Sequence, residues 1–419
     1  MDSNRCLWGG LPSEVIERVL SFLPVPDLCR FRTVCKRWNE LLCKPNFHDL
    51  CELNRKNAYL FVTCYLEYRA FTMVDYNFKE TTSFLDLEAR RWYLIKPGES
   101  RATRNDEEMI YVLAVDDGLV CGLAPGKDGE DYSLVVSDVI ARTRRELPEW
   151  PIACDSDDDL PIIVTAVDVS SRSYKVFVLN SCELEETGMH VYESCTNEWR
   201  ALKNPPEALG ARNAVSAVAL HGILYAIFRQ ETRGRFVLLH YNLQEDSWKE
   251  VSMSIPRKKR HPQLVVSSNR LFVMMWMGVP CGSCSEQGSQ RKFQLLFELR
   301  EILVTGSGAG RVVARISKTH LQEIFDEQDK NFDIAYAVPC INSSGACQSI
   351  VLMSRLSGVL ISYDLVNRSA IVLPAHPLIP SSYQGFSRNP SPYSNPLAIY
   401  YQGKYTNLSL RNLSSRFLE

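Results

Sequence analysis

The sequence lacks net charge, long apolar runs and a basic, apolar start, and each absence removes a class of function. Lys and Arg number 47 against 49 Asp and Glu, a net charge of -2. That balance gives no electrostatic reason to expect nucleic acid or an anionic membrane as a direct partner. The apolar run Leu271–Met277 ends at Gly278. It is far short of the roughly 18 residues of a membrane span and reads as a buried strand. Met1-Asp2-Ser3-Asn4-Arg5-Cys6 has neither region of a secretory signal. The expected compartment is therefore cytoplasmic, nuclear or both. Fourteen cysteines scattered along such a chain read as reduced core thiols, not a disulfide framework. The sequons at Asn342, Asn367, Asn407 and Asn412 read as chance occurrences.

Catalytic patterns are missing too. The seven histidines form no metal pair at short or helical spacing, and neither a Gly-x-Ser-x-Gly elbow nor a zincin motif occurs. Gly306-Ser307-Gly308-Ala309-Gly310 has Arg311 where a dinucleotide fingerprint needs its third glycine, so it reads as an inter-strand loop. Cys281-Gly282-Ser283-Cys284 has zinc-ligand spacing, and Cys340 with Cys347 would be needed to complete a site. The first pair lies in a polar loop, and incidental thiols are the simpler reading. Asp155–Asp159 lacks the spacing of a calcium loop and reads as a solvated loop. Arg257-Lys258-Lys259-Arg260 is a charged turn or a nuclear import signal. No catalytic residue, cofactor or metal is expected.

What is present begins with about forty residues that are too apolar for so small a unit to bury alone. Ser13 and Glu14 are placed to cap a helix. Val15, Ile16, Val19, Leu20, Phe22 and Leu23 follow at a period near 3.6. Pro24-Val25-Pro26 breaks the pattern. Asp27 is a second cap, and Leu28, Phe31, Val34, Cys35, Trp38, Leu41 and Leu42 repeat it before Lys44-Pro45.

The runs Leu11-Pro12-Ser13-Glu14-Val15-Ile16, Leu20-Ser21-Phe22-Leu23-Pro24 and Phe31–Trp38 closely resemble an F-box over residues 8–50, about a tenth of the chain. The resemblance implies docking on a Skp-type adaptor that bridges to a cullin–RING ubiquitin ligase. Carried onto this sequence, it makes Leu11, Pro12, Ile16, Leu20, Leu23, Pro24, Leu28, Val34, Cys35 and Trp38 adaptor-facing. Leu20 and Phe31 are equally suited to holding the unit together. Arg30, Arg32, Lys36 and Arg37 are expected on solvated faces.

Beyond residue 57 the pattern changes to short β-branched and aromatic runs separated by turn residues, an all-β signature. Asp86, Glu193 and Asn242 are each followed six residues later by a tryptophan, at Trp92, Trp199 and Trp248. Related slots without tryptophan fall at Asp138, Glu298 and Asp364. The spacing clusters near the ~50 residues of a kelch blade, in which the tryptophans pack between neighbouring blades. Leu147-Pro148, Pro205-Pro206, Ile255-Pro256 and Leu373-Pro374 follow these slots and suit exits into loops.

This part is similar to a kelch-type β-propeller, and the whole chain to the plant F-box/kelch proteins, although paired glycines are missing. The fold class expected is mainly β: a small all-α unit at 7–50, a linker at 51–57, a propeller at 58–377 and a tail at 378–419. Six blades are expected, with seven left open and a strand near Tyr59–Tyr65 closing the ring. The tail adds an outer strand through Leu397–Tyr401 or stays loose. The resemblance implies a non-catalytic substrate receptor for a protein client, with contact loops at 97–109, 125–132, 153–161, 229–235 and 279–291. A non-degradative scaffold or transcriptional co-factor is the alternative.

Overall fold

The structure is a computed structural model. The residues described are those outside 1–10, 43–46, 48–49, 51–58, 65–80, 96–110, 126–131, 139–142, 150–160, 180–187, 231–234, 256–261, 281–292, 304–309, 329–331, 342–344, 376–396, 401–419 and a few further turn positions.

Three short helices come first: α1 (Ser13–Leu20), α2 (Val25–Phe31) and α3 (Lys36–Leu42). Ile16, Leu20, Leu28, Leu41 and Phe47 close a small core, with Leu23, Phe31 and Trp38 around it. Ser13 does not cap α1. Pro12 stands at the cap position, where its carbonyl accepts from the N–H groups of Val15 and Ile16. The Ser13 hydroxyl instead accepts from Arg37 at 3.2 Å, tying α3 to the start of α1. Helix α2 starts before Asp27, which lies in its first turn and pairs with Arg30 at 3.1 Å.

Among the described residues the β-region forms six four-stranded antiparallel sheets. The second to sixth each take four consecutive strands: Tyr111–Asp116, Leu119–Pro125, Tyr132–Asp138 and Thr143–Glu146; then Ile162–Asp168, Ser173–Leu179, Met189–Glu193 and Glu198–Leu202; then Ala211–Leu220, Ile223–Gln230, Phe236–Asn242 and Ser247–Glu250; then Gln263–Ser267, Arg270–Pro280, Phe293–Ile302 and Arg311–Ser317; then Ile334–Ile341, Cys347–Ser354, Leu360–Asp364 and Ala370–Val372. The first strands of the second to sixth sheets approach one another in succession, so the first position is innermost and the fourth outermost. The arrangement is a six-bladed propeller.

The first blade is built differently. Its strands Tyr59–Cys64, Thr81–Asp86 and Arg91–Ile95 occupy the second to fourth positions, and Leu397–Tyr400 fills the innermost one. The carboxy-terminal strand is thus an inner strand, correcting the expectation of an outer one. It pairs with Tyr59–Cys64, so the two ends of the β-region close the ring together. Closing the ring leaves few open strand edges.

The core is distributed between blades. One cluster joins Leu85 to Val338, Val351, Met353, Leu360 and Leu373 across the first and sixth blades. Four others bridge the second to third, third to fourth, fourth to fifth and fifth to sixth blades. Tryptophans lock three of these seams. The indole N–H of Trp92 donates to the Pro374 carbonyl at 2.8 Å, that of Trp199 to Pro148 at 3.0 Å and that of Trp248 to Lys203 at 2.7 Å. Each acceptor belongs to the exit of the preceding blade.

The repeated acidic or amide residue has its own cause. Asp86 Oδ1 accepts from the N–H of Ala89, Asn242 Oδ1 from Gln244, and Asp364 Oδ1 from Val366 and Asn367. These short side chains stabilise the turn by bonding the backbone two or three residues on. Four residues beyond the slot, Arg90, Asn197, Asp246 and Arg368 take left-handed conformations with φ near 50–60°. Such a residue closes a hairpin whose next strand starts one position later, or two after Arg368. The tryptophan is the second residue of that strand. Glu298 does not belong to this series: it lies inside Phe293–Ile302, whose end is four residues further on. It is buried and paired to Arg300 and Arg315. The fifth-blade assignment is corrected accordingly.

Candidate docking surfaces

Helix α1 carries two apolar stripes offset by one residue. Ile16, Leu20 and Leu23 turn to the helical core, the first two 1 % exposed. Val15, Val19 and Phe22 repeat the same four-then-three spacing on the neighbouring face and stay 43, 43 and 59 % exposed. Leu11, just before the helix, and Val34, between α2 and α3, are also exposed. A unit this small has room for one buried stripe per helix, so the second is left to solvent. Exposed large apolar side chains gathered on one small unit mark a surface for another protein.

The residues expected to face an adaptor therefore divide. Leu11, Pro12, Val34 and Cys35 are exposed, and Leu23 and Trp38 are half-buried. Trp38 leans on Phe31 with ring centroids 5.0 Å apart. Ile16, Leu20 and Leu28 are buried inside the unit, where a partner reaches them only by opening it. Pro24 lies outside the described residues. Sequence reasoning did not assign Val15, Val19 and Phe22 to this surface. The doubled stripe was the available signal. Arg30, Lys36 and Arg37 are exposed as expected, and Arg32 lies outside the described residues.

The propeller has two unlike faces. First-to-second and third-to-fourth strand connections lie on one face, and they are short, as at 221–222, 194–197 and 243–246. His221 and Gly222 both take positive φ, 51° and 75°, in a two-residue hairpin between Leu220 and Ile223. Second-to-third strand connections and those between blades lie on the other face. All five proposed contact segments fall on connections of this second kind, between strands or between blades. Their interiors lie largely outside the described residues.

Other candidates change meaning in the structure. Cys340 and Cys347 flank one hairpin, their Sγ atoms near the carbonyls of Val338 and Ser349. Burial pushes the Cys347 thiol up to about 12, which disfavours a thiolate ligand. Cys281, Cys284, Asp155–Asp159 and Arg257–Arg260 lie outside the described residues. Gly310 is required by packing: a Cβ there would meet the Glu301 carbonyl oxygen at 2.6 Å. Among the described residues no group of three metal-ligating side chains occurs, and no helix is long and apolar enough to cross a membrane.

Polar links on the short-turn face recur between blades. Asn197 Oδ1 accepts from Tyr192 and from Arg145 of the preceding blade. Asp246 repeats the pattern one blade later with Tyr241 and Arg200, and adds Lys203 at 3.2 Å. The Tyr241 hydroxyl, then Lys203 and Arg200, pull the Asp246 carboxyl down to about 2. These links tie neighbouring blades together on the short-turn face.

Residues 8–50 match the F-box domain family. An F-box/kelch-repeat protein of Arabidopsis thaliana is 29% identical over 226 residues, 51% of this chain and 50% of that protein. F-box only protein 6 of the same plant is 22% identical over 88% of this chain and 70% of its own length. The chain thus spans half to seven tenths of the length of these relatives. Among solved structures, TolB from Acinetobacter baumannii covers 79% of this chain and 69% of its own at 11% identity, with a TM-score of 0.43.

Proposed function

We propose that this plant-type F-box/kelch protein is the substrate-recognition subunit of an SCF-type ubiquitin ligase. Its α1 face docks a Skp-type adaptor, and the long-loop face of its propeller holds a protein client. The observation that carries the reading is the second apolar stripe on α1, Val15, Val19 and Phe22, which the unit's own core does not use. Apolar anchors of this kind dominate affinity when seated in a partner's groove. Leu11 and Val34 extend the stripe, while Ile16, Leu20 and Leu28 act indirectly by holding its shape.

Topology supports a division of labour. Strand Tyr59–Cys64 starts on the short-turn face, so the chain from the helical unit enters there, opposite the long loops. A client held on the far face and an adaptor held through the linker do not compete for surface. The protein's contribution to catalysis is positional: it raises the effective concentration of a client lysine near the ubiquitin-charged enzyme.

The test is co-purification of the full chain with a Skp-type adaptor, comparing wild type with a Val15→Asp, Phe22→Ala variant that retains its helices. Adaptor binding by wild type alone supports the reading. Equal failure of both overturns it. Reconstitution of the ligase with a captured client then separates a degradative receptor, which supports ubiquitin transfer, from a scaffold, which does not.

A further inference from the structure

The fifth blade carries more positive charge than its core requires. Its four strands hold four arginines, two glutamates and no other charged side chain, a surplus of two positive charges. The glutamates are buried, Glu298 at 0 % and Glu301 at 6 % exposure. Each binds an inner and an outer arginine: Arg300 and Arg315 meet on Glu298, and Arg270 and Arg311 on Glu301. One guanidinium balances one buried carboxylate, and the largely buried Arg300 and Arg270 are placed to do so, their side chains 20 and 22 % exposed. Arg315 and Arg311 are the surplus pair. They are 53 and 61 % exposed and stand on Arg311–Ser317, the outermost strand of this sheet among the described residues.

Both surplus guanidiniums are oriented from behind. Arg315 donates from Nε to Glu298 Oε2 at 2.6 Å, which leaves its two Nη groups without a partner among the described residues. Arg311 donates from Nε and Nη2 to Glu301 Oε2 at 3.2 and 2.8 Å, which leaves Nη1. Guanidiniums held this way have lost rotamer freedom before a ligand arrives, and their outward N–H groups suit carboxylates. Their spacing is also set. Arg311 pairs with Glu301 and Arg315 with Glu298, three rungs apart because a bulge takes up one residue. Glu301 stands opposite Phe272 of the fifth–sixth seam and Glu298 opposite Met275 of the fourth–fifth seam, so the arginines leave the strand on opposite faces. In an extended chain, residues three apart likewise lie about 10 Å apart on opposite faces. Val312, 38 % exposed, lies between the two arginines. The outer strands of the second, third and fourth blades mix both signs, at Arg145–Glu146, Glu198–Arg200 and Lys249–Glu250, and have no such bias.

We infer that the outer edge of the fifth blade binds an extended acidic segment of another protein. Two carboxylates of that segment, three residues apart, take Arg311 and Arg315, and an apolar residue between them packs on Val312. Positive charge along an edge strand repels a second copy of the same edge and admits an acidic strand. Binding here does not depend on adaptor docking or on the receptor reading.

A phage-displayed library of random twelve-residue peptides is selected on the full chain, and synthesised winners are measured by fluorescence anisotropy on wild type and three variants. Arg311→Gln/Arg315→Gln removes both charges. Arg311→Lys/Arg315→Lys keeps the charges without the planar fork. Arg144→Gln/Lys249→Gln removes two charges from other outer strands. Expected are winners with two Asp or Glu three positions apart, bound at least tenfold more weakly by the Gln variant of the fifth blade. The Lys variant should bind them several-fold more weakly, and the third variant as wild type does. If the Gln variant unfolds, as read by tryptophan fluorescence in urea, the Lys variant decides. No acidic enrichment, acidic pairs without that spacing, wild-type affinity in the Lys variant, or equal loss in the third variant each overturns the inference. Tighter binding of a twelve-nucleotide single-stranded DNA than of any winner overturns it in favour of nucleic acid.

Discussion

Val15 and Ile16 are consecutive in sequence and opposite in consequence, and changing each in turn tests the docking face directly. Ile16 is 1 % exposed in the helical core, whereas Val15 is 43 % exposed on the second stripe. At about 0.05–0.15 kcal/mol per residue, a unit of some forty residues is worth about 2–6 kcal/mol. An Ile→Ala change in a closed core costs about 2–5 kcal/mol, enough to remove most of that. Ile16→Ala should therefore open the unit and lose adaptor binding as a consequence. Val15→Asp lies in the first turn of α1, where a carboxylate is tolerated. Its effect on stability should stay within about 0.5 kcal/mol. In the complex, however, it buries an unpaired charge against apolar surface, and adaptor affinity should fall at least tenfold, about 1.4 kcal/mol or more. Hydrogen exchange across 13–20 in the full chain reads folding, and interferometry with immobilised adaptor reads affinity. Wild-type affinity in Val15→Asp, or normal exchange protection in Ile16→Ala, would refute the assignment of the two stripes.

Three further outcomes follow from the propeller. Trp248→Phe removes the indole N–H that donates to the Lys203 carbonyl and should cost about 1–3 kcal/mol in denaturant unfolding; an unchanged midpoint would show that the bond does not hold the seam. Ending the chain at residue 396 removes the inner strand of the first blade, and exchange along Tyr59–Cys64 should rise while the fourth blade stays protected; uniform protection would sink the closure argument. The depressed carboxyl of Asp246 favours the folded state when ionised, so its contribution is present above pH 4 and is lost as pH falls toward about 2. In Asp246→Asn the loss of stability over that window should be shallower than in wild type, as read by acid titration of tryptophan fluorescence.

Local chemistry was legible in the sequence. A helical period followed by a double proline marks a short helix and its end, whatever surrounds it. Asp86, Asn242 and Asp364 are fixed by bonds to backbone two or three residues away, and the tryptophan six residues on inherits that geometry. The series was therefore countable from the sequence, except in the fifth blade. There Glu298 mimics the turn residue, although its carboxylate neutralises Arg300 and Arg315 inside a strand. That role depends on a neighbouring strand, which no local pattern reveals.

The tertiary structure decided what depends on distant neighbours. Periodicity shows that α1 has apolar residues, but whether Ile16 or Val15 is left in water depends on where Leu28, Leu41 and Phe47 come to rest. The Leu397–Tyr400 segment reads from the sequence as an added outer strand or a loose tail, and only closure of a ring some 340 residues long makes it the innermost strand of the first blade. The short connections at 194–197, 221–222 and 243–246 look like unrelated turns. Antiparallel alternation within each blade brings them to one face, on successive blades, because every second strand end points the same way.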